Sequence, residues 1–149
     1  MSIISLFAVS FIAGFLGTVV MTVGQEIQIR ITRRPISYTP AIVFFKVFRL
    51  DFDALGNRAK GVASYAVHFA YGTFWGFPLA LFYLAGFIDF IPMLIVYFLI
   101  VWIQGFITIS LLRIAGPPWT WGLKKNLIEF FFKALYTTAS LSFFLILLN

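Results

Sequence analysis

The sequence predicts an all-α fold: a four-helix transmembrane bundle with a short interfacial helix in its first connection. Three observations lead there. Of 149 residues, 62% are hydrophobic and 11% charged, where a soluble domain is about half apolar and a quarter charged. Four long apolar stretches follow one another along the chain. The positive charge collects in alternate connections between them.

The first stretch, Ile3 to Gly24, carries no charge, and neither do Gly61 to Ile88 and Phe90 to Leu112. The fourth, Asn126 to Leu148, contains Glu129 and Lys133. Crossing a hydrocarbon core of ~30 Å takes about 20 helical residues. Lipid offers the backbone no hydrogen-bond partner, so each crossing must be helical. Helices are therefore expected over about 3–29, 61–87, 90–113 and 125–148, forming a single transmembrane domain over 1–149. The first stretch lacks the basic flank of a cleavable signal and is too long for one.

The connection after the first helix holds Arg30, Arg33, Arg34, Lys46, Arg49, Arg58 and Lys60 against Asp51 and Asp53. The next holds Asp89 alone, and the third holds Arg113, Lys124 and Lys125. The positive-inside rule places both basic links in the cytoplasm and both termini outside. The net charge of +6 is thus a matter of topology, and no nucleic-acid motif accompanies it. Within the first link, Thr39-Pro40 reads as a helix start. The run from about 40 to 50, with Phe44 and Phe48 beside Lys46 and Arg49, suits a helix in the headgroup plane. Trp119 and Trp121 suit the interfacial aromatic belt.

Residues four apart share a helix face. The first helix carries Ser10, Gly14, Thr18, Thr22 and Glu26 at that spacing, and the second carries Ser64, His68, Gly72, Gly76 and Ala80. Small residues let membrane helices approach closely. Packing the two stripes antiparallel brings Thr18 near Gly72, and Glu26 near Ser64 or His68. The alternative turns one stripe toward a second copy. Glu26 and His68 are expected to meet, as a static clamp or a proton-responsive pair. Glu129 and Lys133, four apart with the acid first, are expected to form a helical ion pair. At a rise of ~1.5 Å per residue, Glu26, His68, Gln104, Glu129 and Lys133 form one polar layer at or just inside the cytoplasmic boundary.

No catalytic constellation is complete. Without cysteine there is no thiol nucleophile or thiolate metal site. Glu26, His68 and Glu129 are the residue types of a carboxylate–histidine site, but no spacing specifies a metal. No cofactor is required: His68 offers haem one axial ligand, and the aromatic surface at Trp75 and Trp102 could seat a pigment or quinone. The indole N–H groups of those two tryptophans need acceptors, so both are expected to face protein.

The strings His68-Phe69-Ala70-Tyr71-Gly72-Thr73-Phe74-Trp75-Gly76 and Gly116-Pro117-Pro118-Trp119-Thr120-Trp121 resemble those of a group of small four-helix bacterial integral membrane proteins. The first link, Arg30 to Ala41, is similar too. The resemblance implies the four-helix layout and a prokaryotic cytoplasmic membrane, and carries no activity with it.

The expected function is a non-catalytic membrane subunit, packed among lipids within a larger or homo-oligomeric complex of other subunits or copies of itself. One alternative is a small ion- or proton-coupled transporter or channel using Glu26, His68 and Lys133. Another is an enzyme acting on a lipid or quinone.

Overall fold

A computed structural model describes residues 1–33 and 37–148. Arg34 of the basic link and Asn149 lie outside the described residues. Among those described, all regular structure is helical: α1 (Ile3–Thr32), α2 (Thr39–Val47), α3 (Asn57–Phe74), α4 (Phe77–Leu84), α5 (Phe90–Leu111) and α6 (Leu123–Leu148), with one 3₁₀ turn at Pro118–Thr120. Three of these, α1, α5 and α6, are long and apolar enough to cross a membrane.

α1 starts at Ser2, whose hydroxyl accepts from the Ser5 amide at 3.1 Å, satisfying one of the orphan donors of the first turn. Its buried residues Leu6, Ser10, Ala13, Gly14, Gly17, Thr18 and Met21 form one stripe at helical spacing. The stripe is distinguished by size rather than polarity. α1 lies antiparallel to α6 along its most extensive contact, and α3 and α4 pack along another side of it. α5 packs on α6 and closes the bundle, while α2 lies against α3. Tyr97, Phe144, Leu79, Met93 and Leu141 fill the core.

The helix expected over 61–87 is instead two, α3 and α4, broken at Trp75-Gly76. Pro78 is the cause: it has no N–H, and its ring cannot sit against the carbonyl four residues back. The backbone tightens around it. The Gly76 amide bonds the Thr73 carbonyl and the Leu79 amide bonds the Gly76 carbonyl, each at 3.0 Å. These three-residue steps leave the Gly72 and Trp75 carbonyls without their usual donors.

The basic links come together at one end. Lys46 of α2 donates to the Leu112 carbonyl at 2.8 Å, placing a cation at the negative C-terminal end of α5. Three helices finish at this end on an arginine of positive φ: α1 at Arg33 (51°), α2 at Arg49 (55°) and α5 at Arg113 (52°). At Arg49 and Arg113 the backbone makes the paired bonds of a Schellman motif, Leu50 to Phe45 (2.7 Å) and Ile114 to Ile109 (3.0 Å). The equivalent position after α4 is Gly86, φ 82°, the residue that left-handed backbone ordinarily selects.

Candidate functional site

The small-residue stripes of α1 and α3 meet, and the glycines show how closely. A Cβ added at Gly72 would stand 2.0 Å from the Thr18 hydroxyl, and one at Gly76 would stand 2.0 Å from the Ser10 carbonyl oxygen. Gly14 lies over the break itself: its Cβ would come within 2.8 Å of both the Gly76 nitrogen and the Thr73 carbonyl oxygen. The hydroxyls in the stripe bond within their own helix, Thr18 to the Gly14 carbonyl (2.8 Å) and Thr22 to the Thr18 carbonyl (2.7 Å). They therefore pack as small residues while remaining satisfied.

Toward the basic end the same interface becomes polar. Nε2 of His68 lies 3.2 Å from the Thr22 hydroxyl oxygen. The hydroxyl hydrogen of Thr22 is already on the Thr18 carbonyl, so the histidine donates. The Tyr65 hydroxyl donates to Glu26. Glu26 and His68 thus do not pair as expected, although both lie on the α1–α3 interface. Thr22 stands opposite His68, and Glu26 is one turn nearer the basic end, where Tyr65, three residues before His68, meets it. Ser64 donates to the Ser37 carbonyl at 3.3 Å instead.

Gln104 on α5 joins α3: its carbonyl oxygen accepts from Tyr71, and its amide donates to Thr108 at 2.8 Å. Glu129 and Lys133 do not form the expected ion pair. Both line a cavity of about 30 Å³ with Trp102, Gly105, Phe106 and Trp121. The Lys133 stem crosses to α5, its Cε 3.8 Å from where a Gly105 Cβ would stand, which draws the ammonium away from its own helix face. The cavity is about the volume of one liquid water.

Deeper in the bundle, two tyrosines close the helix break. Tyr136 of α6 donates to the Gly72 carbonyl at 2.6 Å, and Tyr97 of α5 donates to the Trp75 carbonyl at 2.7 Å. Their hydroxyl oxygens lie 3.1 Å apart. These are two of the carbonyls that the break at Pro78 leaves without their usual donors. Every long helix of the bundle therefore converges on this point, α1 through Gly14 and Ser10, α5 and α6 through their tyrosines.

None of these tyrosines was expected as a site residue. A signal existed: a buried tyrosine must find a partner for its hydroxyl, as a buried tryptophan must for its indole N–H. The indole nitrogens of Trp75 and Trp102 are buried, but neither has a hydrogen-bond partner. Trp102 stacks on Phe98 and meets Phe106 and Phe130 edge-on instead.

At the basic end, Trp119 is 83% exposed. The Trp121 indole donates to the Gly116 carbonyl at 2.6 Å, under the Lys125 ammonium at 4.2 Å. Phe44 and Phe48 pack with tilted rings, centroids 4.6 Å apart, on the exposed side of α2. Glu26, His68 and Glu129 each face different neighbours, and among the described residues no three acidic or histidine side chains gather around a common point.

Comparison with family models, curated proteins and solved structures found no match to this chain.

Proposed function

We propose that the chain is a four-helix transmembrane bundle and a non-catalytic subunit, working by packing within a larger or homo-oligomeric membrane complex. In this reading α3 and α4 together make the second crossing, broken at its middle, and the basic end lies in the cytoplasm of a prokaryotic cell. The carrying observation is how the polar groups between the helices are used. Tyr97 and Tyr136 hold the carbonyls of the break, Tyr65 holds Glu26, and Tyr71 holds Gln104. They fasten helix to helix. The outer surface is apolar over every long helix, with Ile12, Phe15, Ile95, Ile103 and Ile146 exposed. Such a surface suits lipid or neighbouring transmembrane helices, whose association depends on packing.

Tagged protein extracted from native membranes in mild detergent tests this reading. Stoichiometric foreign subunits, or a defined multiple of this chain, are expected. A solitary monomer with an activity of its own overturns it. A small ion-coupled transporter is the second reading, favoured by the cavity that holds Glu129 and Lys133. It requires ion flux in proteoliposomes that Lys133→Met abolishes.

A further inference from the structure

An open groove of about 710 Å³ runs between the second half of α1 and the first half of α6. It exists because the two helices diverge. At Gly17 a Cβ would stand 3.0 Å from the Ser140 backbone nitrogen, whereas at Gly24 the nearest atoms are the side-chain ends of Leu135 and Phe132, at 3.1 and 3.3 Å. Past Gly24 the helices no longer fill the space between them. Ile27 and Ile31 form one wall and Leu127 and Phe131 the other, and all four are exposed.

The polar side chains of the groove are Thr32 and Lys124 at its basic end and Gln28 about one turn further in. The Thr32 hydroxyl is used on the Gln28 carbonyl at 2.7 Å. The Lys124 ammonium forms no ion pair with a described residue. Its neighbour Lys125 differs, holding its ammonium over the Trp121 ring. Arg30 stands in the same last turn of α1 as the mouth of the groove.

We propose that this groove seats an acyl chain of an anionic phospholipid, with the lipid phosphate at Lys124 and the Gln28 amide. The proposal rests on the reading that the basic end lies at a lipid headgroup layer. Beyond Gln28 the walls are aliphatic and aromatic, which matches a slender hydrocarbon chain. The cation at the mouth matches a phosphate, and basic clefts between membrane helices select anionic headgroups. A second copy seated in this groove, in the same orientation, would set its own basic end directly against Lys124, and like charges would oppose it there.

Native mass spectrometry of the purified protein in mild detergent, titrated with phosphatidylglycerol or phosphatidylcholine, tests the proposal. Phosphatidylglycerol is expected to bind more tightly. Lys124→Gln should weaken it about fivefold, the factor one cation near an anionic surface supplies, and leave phosphatidylcholine unchanged. Lys125→Gln removes the same charge one residue away and should have little effect. Ile27→Trp, which fills the groove from an exposed wall, should remove one bound lipid while circular dichroism shows the helices intact. Equal binding of both lipids overturns the proposal, as does equal weakening by Lys124→Gln and Lys125→Gln. So does a protein dimer that Ile27→Trp dissolves without changing lipid binding. These readouts concern the isolated chain, so they stand apart from whether foreign subunits accompany it.

Discussion

Gly72 and Gly76 look alike in the stripe, but the atoms facing them differ. Gly72 faces the Thr18 side chain and Gly76 faces the Ser10 backbone carbonyl. A methyl group at either position must displace its neighbour, and overpacking of this kind costs about 1–3 kcal/mol or more. Thermal unfolding in detergent should show both Gly72→Ala and Gly76→Ala destabilised. Adding Thr18→Ala should restore much of the loss at Gly72, because the clashing hydroxyl is gone. No truncation at Ser10 should rescue Gly76→Ala, since the obstructing oxygen belongs to the main chain. Equal rescue at both sites would show that the helices can shift apart.

Tyr136 makes a second residue-scale case. It is buried, and its hydroxyl supplies the donor to the Gly72 carbonyl. Tyr136→Phe keeps the ring and strands that carbonyl, a loss of about 1–2 kcal/mol. Tyr97→Phe should behave similarly at Trp75. Because the two hydroxyls adjoin, the double variant should lose less than the sum of the singles, as measured in a double-mutant cycle. Strict additivity would mean that the two clamps act separately.

Among elements, the ends of α2 and α5 place arginine where glycine is easier. Left-handed backbone costs an L residue about 1 kcal/mol, and Arg49 and Arg113 both adopt it. Arg49→Gly should therefore raise the thermal midpoint slightly, even though it removes a charge. A fall would mean that the guanidinium contributes more to stability than its backbone strain removes. Lys46 should matter differently, because it holds α2 to the C-terminal end of α5. Lys46→Met is expected to speed hydrogen exchange at Leu112 to Ile114 while leaving the middle of α5 unchanged. Unaltered exchange there would show that the cap does not hold the link. The break between α3 and α4 belongs to the same scale. Pro78 starts it, and groups from three other helices then hold it.

For the whole molecule, charge separates the two ends. One gathers Arg33, Lys46, Arg49, Arg113, Lys124 and Lys125; the other holds Asp89 in the short link before α5. The proposed orientation can be checked cleanly because the chain has no cysteine. Single cysteines at Asp89 and Arg58 should react with an impermeant reagent from opposite sides of intact cells, position 89 from outside. Labelling of position 89 only after permeabilisation would reverse the topology, and same-side labelling would contradict a crossing by α3 and α4.

Much of this was legible in the residues. A bilayer core sets the length of the apolar runs, so α1, α5 and α6 could be placed from hydropathy alone. The stripe from Ser10 to Glu26 pointed to its partner on α3 because close approach needs small side chains, and Thr18 does face Gly72. The partners of the polar groups were less legible. Glu26 was expected beside His68 and meets Tyr65. Glu129 and Lys133 have the spacing of an ion pair, yet Lys133 leans across Gly105. A spacing rule describes one helix, whereas a long side chain is drawn by whatever the neighbouring helix offers.

The sequence by itself determined the helical class, the apolar lengths, the charge asymmetry and the faces able to pack. These follow from local composition and from a period that the backbone imposes. Only the tertiary structure decided that Pro78 divides a helix, that Tyr97 and Tyr136 receive two of the carbonyls it frees, and that α1 and α6 part beyond Gly24. The break itself is local to Pro78, but the other two outcomes join residues tens of positions apart. A buried carbonyl has no sequence signature for its donor, because the need arises on one helix and is met from another.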